Sequence, residues 1–269
     1  MIRLVALDLD GTLFGEDLLI SGANREAIAE AQARGVRVTL ATGRMFRSAL
    51  PHAQSLDIRT PLICYQGAMI RDPVSRETLF HRPLAQATAL EVIRLLEAEG
   101  LHPNVYLDDN LYVGEFNAGT EFYAKMNGGL PINLVGDLVG FLRERGEPTK
   151  LSVVLGSEAE ADAVVAELSA HFGDEIYATE SHPMFAEALN PTCNKGVALA
   201  VLAAHLGIAQ DETMAIGDGT NDLPMLGWAG LGVAMGQAKA EVRAGARHVT
   251  SAMAEDGLAA ALHRFVLAS

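Results

Sequence analysis

Met1-Ile2-Arg3-Leu4-Val5-Ala6-Leu7-Asp8-Leu9-Asp10-Gly11-Thr12 opens the chain, and its reading decides the fold. Residues 2–7 form a short, mostly apolar run rich in branched side chains, the pattern of a buried parallel strand entering a turn. The run ends at two carboxylates two residues apart, with Gly11 letting the backbone turn sharply beneath them. Asp8 and Asp10 can then face one site. Asp and Gly are also ordinary turn residues. Four specified positions, however, give only roughly 0.002 chance matches over a chain of this length, so the pattern points to chemistry.

Working outward, residues 23–34 carry Ala27, Ile28 and Ala31 on one helical face, with Gly35 as a stop. Residues 36–41 then form a second strand that ends at Thr42-Gly43-Arg44. After another helical stretch, residues 61–66 form a third strand before Gly67. Strands alternating with helices at this spacing imply right-handed βαβ units and a mostly parallel sheet covered on both faces. Ligands bind such sheets at the carboxyl ends of the strands, where Asp8, Asp10 and Thr42 fall.

The middle of the chain has a different texture. Helical stretches at 86–99, 117–127, 137–145 and 157–170 alternate with strand-like runs at 104–112, 150–155, 175–179 and 185–189, and Asn127-Gly128-Gly129 is a turn signal. After Asn190-Pro191 the βα rhythm resumes, with a helix at 195–206 and strands at 213–216 and 231–234. The expectation is an α/β core made of residues 1–83 and 187–269, with an α+β module inserted at 84–186.

A second acidic cluster, Gly217-Asp218-Gly219-Thr220-Asn221-Asp222, follows the strand at 213–216 and so shares the crevice with Asp8. Carboxylates gathered at one spot stay ionised only beside a cation, and all-oxygen ligation points to Mg²⁺ rather than zinc. Lys195, at a helix start where the macrodipole disfavours a cation, and Thr42, after a strand, each offer a donor to a phosphate oxygen. Arg44 is a second candidate cation for the same group.

Bulk composition narrows the partners. The 20 Lys+Arg against 34 Asp+Glu give a net charge of −14, which opposes binding to nucleic acid polymers or an anionic membrane. With 49% hydrophobic and 20% charged residues the chain reads as globular. Two cysteines, Cys64 and Cys193, are too few for a disulfide framework and lack metal-ligand spacing. The first residues lack a secretory pattern, and no uncharged stretch is long enough to span a bilayer, so a cytoplasmic location is expected.

The four segments, in this order, resemble the four motifs of the haloacid dehalogenase-like phosphatase superfamily, over the whole chain. Asp8 and Asp10 resemble the first motif, Thr42 the second, Lys195 the third, and Asp218 with Asn221 and Asp222 the fourth. The long insert, Thr42-Gly43-Arg44 and Tyr65-Gln66-Gly67-Ala68 are similar to the Cof-like subgroup with its large α+β cap of type C2. That subgroup usually has Asn where this chain has Gln66, which is kept as a candidate substrate contact.

The resemblance implies a Rossmann-like core with a cap that closes over the crevice, and a phosphatase acting on a small phosphorylated metabolite. Its catalytic groups would be Asp8 as nucleophile, Asp10 as acid and base, Thr42 and Lys195. Thr42, Gly43, Arg44, Lys195 and Asn221 would bind substrate. Mg²⁺ would be held by Asp8, the Asp10 backbone carbonyl and Asp218, with Asn221 and Asp222 orienting these groups from behind. Phosphoryl transfer to a sugar hydroxyl instead of water, and a non-catalytic binding module, are the alternative readings.

Overall fold

The structure is a computed structural model that describes residues 1–15 and 17–268. The chain divides into two compact units, Met1–Phe80 with Asn194–Ser269, and His81–Cys193.

In the first unit, β1 (Leu4–Leu7) is buried at every position. The helix α1 (Gly22–Ala33) follows, capped by the Ser21 hydroxyl, which accepts the Asn24 N–H at 3.1 Å, and it buries Ala27, Ile28 and Ala31. β2 (Arg37–Leu40), α2 (Phe46–Ser55) and β3 (Leu62–Cys64) complete two βαβ crossovers between parallel neighbours. β3 then pairs with β4 (Met69–Arg71), and β5 (Thr78–His81) completes this small sheet.

The insert opens with α3 (Gln86–Ala98). Residues 104–112, expected as one strand-like run, form a hairpin of β6 (Asn104–Leu107) and β7 (Asn110–Val113). Asp108 and Asp109 both take positive φ at its tip, which aspartate tolerates and which a two-residue hairpin turn requires. Then come α4 (Ala118–Met126), the short strand β8 (Ile132–Leu134), α5 (Leu138–Arg145), β9 (Lys150–Val154), α6 (Glu158–Phe172), β10 (Tyr177–Thr179) and β11 (Phe185–Leu189).

The six strands run β10-β11-β9-β6-β7-β8, antiparallel except for β7 with β8. One face is an apolar core in which Val105, Leu151, Val153 and Ala188 meet Val92, Leu142, Val164 and Leu168 of the helices. The compact unit is wider than the 84–186 expected. β11 is hydrogen-bonded to β9 and β10 along its length, so a cut at 186 would sever it.

The chain returns to the first unit through α7 (Lys195–Leu206), capped by Asn194 and ended by Gly207 in the left-handed region. β12 (Thr213–Gly217), α8 (Leu223–Trp228), β13 (Leu231–Ala234), α9 (Ala240–Gly245), β14 (His248–Val249) and α10 (Gly257–Leu262) follow. The core sheet is fully parallel in the order β14-β13-β12-β1-β2. A parallel bridge from Ala41 to Ile63 brings β3 beside β2. The first strand is thus central, flanked by elements far apart in sequence. Among the described residues no helix is long and apolar enough to cross a membrane.

The start of α7 is pressed against α8: a side chain at Gly196 would collide with the Pro224 backbone carbonyl. Gly196→Ala is therefore expected to lower stability by about 1–3 kcal/mol, the usual cost of overpacking, read as an earlier thermal or urea midpoint. A midpoint equal to that of the parent would show that α7 and α8 can move apart freely.

Candidate active site

Neighbouring parallel strands deliver the chemistry to one end of the core sheet. Asp8 follows β1 directly, Thr42 lies two residues beyond β2, and Asp218 follows β12. The Asp8 N–H donates to the Ile216 carbonyl at 3.0 Å and the Ala41 N–H to Leu7 at 2.8 Å, so sheet pairing continues to the edge of the site.

Lys195, the first residue of α7, is 1% exposed. Its Nζ donates to Asp8 Oδ1 and to Asp222 Oδ1, each at 2.6 Å. The second oxygen of Asp222 accepts the backbone N–H groups of Asp218 and Gly219, both at 2.9 Å. Asp222 thus spends both oxygens inside the protein, holding the 218–222 loop and the ammonium in place. Thr12 Oγ1 donates to Asp218 Oδ1 at 2.7 Å, a contact between the first and last segments that sequence reasoning did not assign. Gly11 has a φ of +87°, and any side chain there would strike the Asp218 carboxylate. The glycine serves both the turn and the close approach of the two acidic clusters.

Arg44 holds Asp10 with two parallel bonds, Nε to Oδ2 at 2.8 Å and Nη2 to Oδ1 at 2.6 Å. Its guanidinium also lies 5.4 Å from the centre of the Phe14 ring. The Asp10 carboxylate is therefore engaged with Arg44 rather than with the other acids. Gly43 sits in the bend between Thr42 and Arg44, and the Thr42 hydroxyl accepts the Arg44 N–H at 3.1 Å. Nearby, burial and then Arg44 push the His52 imidazole below its usual range, so it stands neutral around pH 7.

Tyr65, Gln66 and Gly67 take three successive positive φ values, 53°, 56° and 97°. This backbone turns Gln66 inward, where its Oε1 accepts the Asn221 amide at 3.1 Å and its N–H donates to the Thr42 carbonyl at 3.1 Å. Gln66 is 1% exposed and ties the second segment to the fourth. Its departure from Asn thus has a structural use that the sequence did not reveal.

Asp8, Asp218 and Asp222 place carboxylate oxygens within 4.8 Å of one another. Ionised together, the three carboxylates would exceed the one ammonium by two negative charges. Burial and then Asp222 push the Asp8 carboxyl well above its usual range, with Lys195 opposing. Burial and then Asp222 push Asp218 up to about 7, with the Thr12 hydroxyl opposing. Burial works against the charge on Lys195, but Asp222 and Asp8 outweigh it and keep the ammonium protonated beyond its ordinary range. All-oxygen donors whose ionisation leaves two charges uncompensated fit a hard divalent cation.

The same charges generate a pH dependence. Without a cation the folded protein holds the Asp218 proton up to about pH 7, whereas an exposed aspartate releases it near 3.8. Between these limits the folded state binds more protons than the unfolded, so this group lowers stability as pH rises. In metal-free protein Asp218→Asn is expected to be more stable than the parent at pH 7, by roughly 2–4 °C for each kcal/mol recovered. The gain should fade towards pH 4. A gain that is constant across this range would sink the electrostatic reading.

A family profile described as haloacid dehalogenase-like hydrolase matches residues 5–262. The chain is similar to a 5-amino-6-(5-phospho-D-ribitylamino)uracil phosphatase of Bacillus subtilis, 32% identical over 99% of this chain and 96% of that protein. It is also similar to the HMP-PP phosphatase of Cronobacter sakazakii, 31% identical over 93% and 89% of the two chains. Among solved structures it resembles a sugar phosphatase of HAD subclass IIB with a TM-score of 0.86 at 26% identity, covering 98% of each chain.

Proposed function

Since the chain belongs to the haloacid dehalogenase-like hydrolases and is a phosphatase of that family, we propose that it hydrolyses small phosphorylated metabolites through an aspartyl-phosphate on Asp8. The observation that carries this reading is the buried Lys195 ammonium, 2.6 Å from Asp8, beside an excess of carboxylates. Lys195 fixes the Asp8 carboxylate and, with the Thr42 hydroxyl, offers positive charge and a donor to the phosphoryl oxygens, whose charge is spread in a loose transition state. Mg²⁺ held by Asp8, Asp218 and the Asp10 carbonyl would supply the charge that lets a phosphate dianion enter so acidic a site.

Asp8 attacks phosphorus as the bond to the leaving oxygen breaks, and Asp10 gives that oxygen its proton. Water then attacks the acyl phosphate, Asp10 takes the water proton, and Asp8 is released with inorganic phosphate. In the structure each Asp10 oxygen accepts one bond from Arg44, so release of one of them by Arg44 favours proton exchange at Asp10. An incoming phosphate is the natural competitor for that guanidinium, which gives Arg44 a substrate-binding part with Gly43 and Asn221. Asn221 and Asp222 orient the site from behind.

Relatives that act on a phosphoribitylamino-uracil, on HMP-PP and on a sugar phosphate support a substrate class of sugar phosphates, nucleotides or cofactor phosphates. Selection among them is assigned to the insert, and a panel of such esters assayed for phosphate release tests the class. Free phosphate as the product, rather than a phosphorylated acceptor, excludes transfer to a sugar hydroxyl.

The two acids of the first motif have unequal work. Rapid-quench mass spectrometry with an activated aryl phosphate should find a phosphoryl group on the Asp8 peptide of Asp10→Asn, because a good leaving group needs no acid while water attack still needs a base. Asp8→Asn should show none. Label on another residue, or in both variants alike, would overturn the assignment.

Turnover should also vanish in excess chelator and return with Mg²⁺. Full activity in chelator would rule out the metal-dependent reading.

A further inference from the structure

Parallel sheets of this kind hold their ligands at the carboxyl ends of the strands. β1, β2 and β12 each bring a group of the acidic site to that end, and β13, the neighbour of β12, ends three residues before Gln237. The backbone there is held on both sides. The Met235 N–H donates to the Gly217 carbonyl at 3.0 Å and the Gly236 N–H to the Ser251 carbonyl at 3.1 Å. A side chain at Gly236 would strike the Ala252 backbone nitrogen, so the two segments lie directly against one another.

From this support the Gln237 amide joins two distant loops. Its Nε2 donates to the Gly11 carbonyl at 2.6 Å, across 226 positions of sequence, and its Oε1 accepts the Met253 N–H at 2.9 Å. The residue is exposed. An exposed glutamine ordinarily keeps its rotamer freedom, and tying both ends of one gives that freedom up.

The group it ties down belongs to the least constrained residue of the first motif. Gly11, at a φ of +87°, has no Cβ to limit rotation between the two planar peptides it joins. The peptide before it carries the Asp10 carbonyl and is fixed by the Gly11 N–H, which donates to the Phe14 carbonyl at 2.9 Å. The peptide after it is held less well by its own loop, since the Thr12 N–H reaches the Leu9 carbonyl at 3.4 Å. Gln237 supplies the shorter bond to that peptide, and the next side chain is Thr12, whose hydroxyl donates to Asp218 at 2.7 Å.

We propose that Gln237 is a positioning residue of the phosphatase site: by fixing the Gly11–Thr12 peptide it sets where Thr12 holds the Asp218 carboxylate, and through that the affinity of the site for Mg²⁺. The inference rests on the reading of Asp8, Asp218 and the Asp10 carbonyl as the Mg²⁺ ligands. Gln237 acts through Gly11 and Thr12, not by contact with the ester, and takes part in no covalent step.

The test is Mg²⁺ binding to the full chain, stripped of metal and without a phosphate ester, followed by titration calorimetry. Gln237→Glu keeps the side-chain length and an oxygen for the Met253 N–H, but sets a carboxylate oxygen against the Gly11 carbonyl in place of the donor. A negative charge added beside an acidic site would by itself draw a divalent cation in more tightly. Loss of position predicts the opposite, Mg²⁺ binding about tenfold weaker, the usual effect of removing a group that orients metal ligands. Gln237→Met, of similar length with neither donor nor acceptor, should weaken it likewise and stands in if the glutamate variant loses its unfolding transition. In turnover the Mg²⁺ activation midpoint should rise by the same factor while KM for the ester stays within about twofold. Affinity equal to the parent's in both variants, or tighter in Gln237→Glu, would overturn the proposal. With a lowered unfolding midpoint, equal affinity would show that the two bonds serve stability alone. A parent chain that binds no Mg²⁺ overturns the metal reading and this inference with it, whereas a parent that binds it beside indifferent variants overturns this inference alone.

Discussion

The buried ammonium of Lys195 is the constraint on which the site depends. A lysine at the start of a helix and sealed from water loses both hydration and a favourable dipole. It stays charged because two carboxylates from distant segments, Asp8 and Asp222, each approach to 2.6 Å. The arrangement is reciprocal, since the ammonium opposes the burial that pushes the Asp8 carboxyl above its usual range. Asp222 passes the constraint on through its second oxygen, which gathers the N–H groups of Asp218 and Gly219. Thr12 carries it back to the first loop. One charge thus sets the position of every acid in the cluster.

A second, looser constraint lies beside it. Arg44 and Asp10 neutralise one another at an edge where Asp10 keeps 30% of its side chain exposed. The contrast is functional in its physics. The fully buried pairs are over-determined and rigid, whereas a partly solvated pair can be exchanged for another anion at modest cost. A site that must be fixed in one half and yielding in the other divides its charges accordingly.

Much of this was legible in the sequence wherever a residue's role follows from its local pattern. The strand at 231–234, the helix at 195–206 and the strand at 185–189 have the bounds that periodicity implied. Asp8, Lys195 and Asp218 fall at strand ends and helix starts, which short motifs reveal. What stayed hidden depends on long-range geometry or on residues of ordinary type. Asp108 and Asp109 read as part of a strand because nothing local says that both adopt positive φ. Ile132–Leu134 has no buried face to generate an alternating pattern. The Thr12 bond to Asp218 spans 206 positions, and the Gln66 bond to Asn221 spans 155, so neither leaves a trace in any window of sequence.

The central place of β1 has a consequence for how the molecule comes into being. During synthesis Leu4–Leu7 emerges before both of its partners and finds β2 within some thirty residues, but its other edge must wait for Thr213–Gly217. Closing so long a loop costs entropy that grows only slowly with length, and it delays the pairing. Until then an apolar strand presents an unpaired edge to its surroundings, the kind of edge that recruits other chains. The insert, whose strands pair only with one another, is complete earlier and can fold inside the waiting loop. Vulnerability to aggregation is therefore greatest in a nascent chain between the emergence of β2 and that of β12, and the acidic cluster is assembled only by the event that ends it.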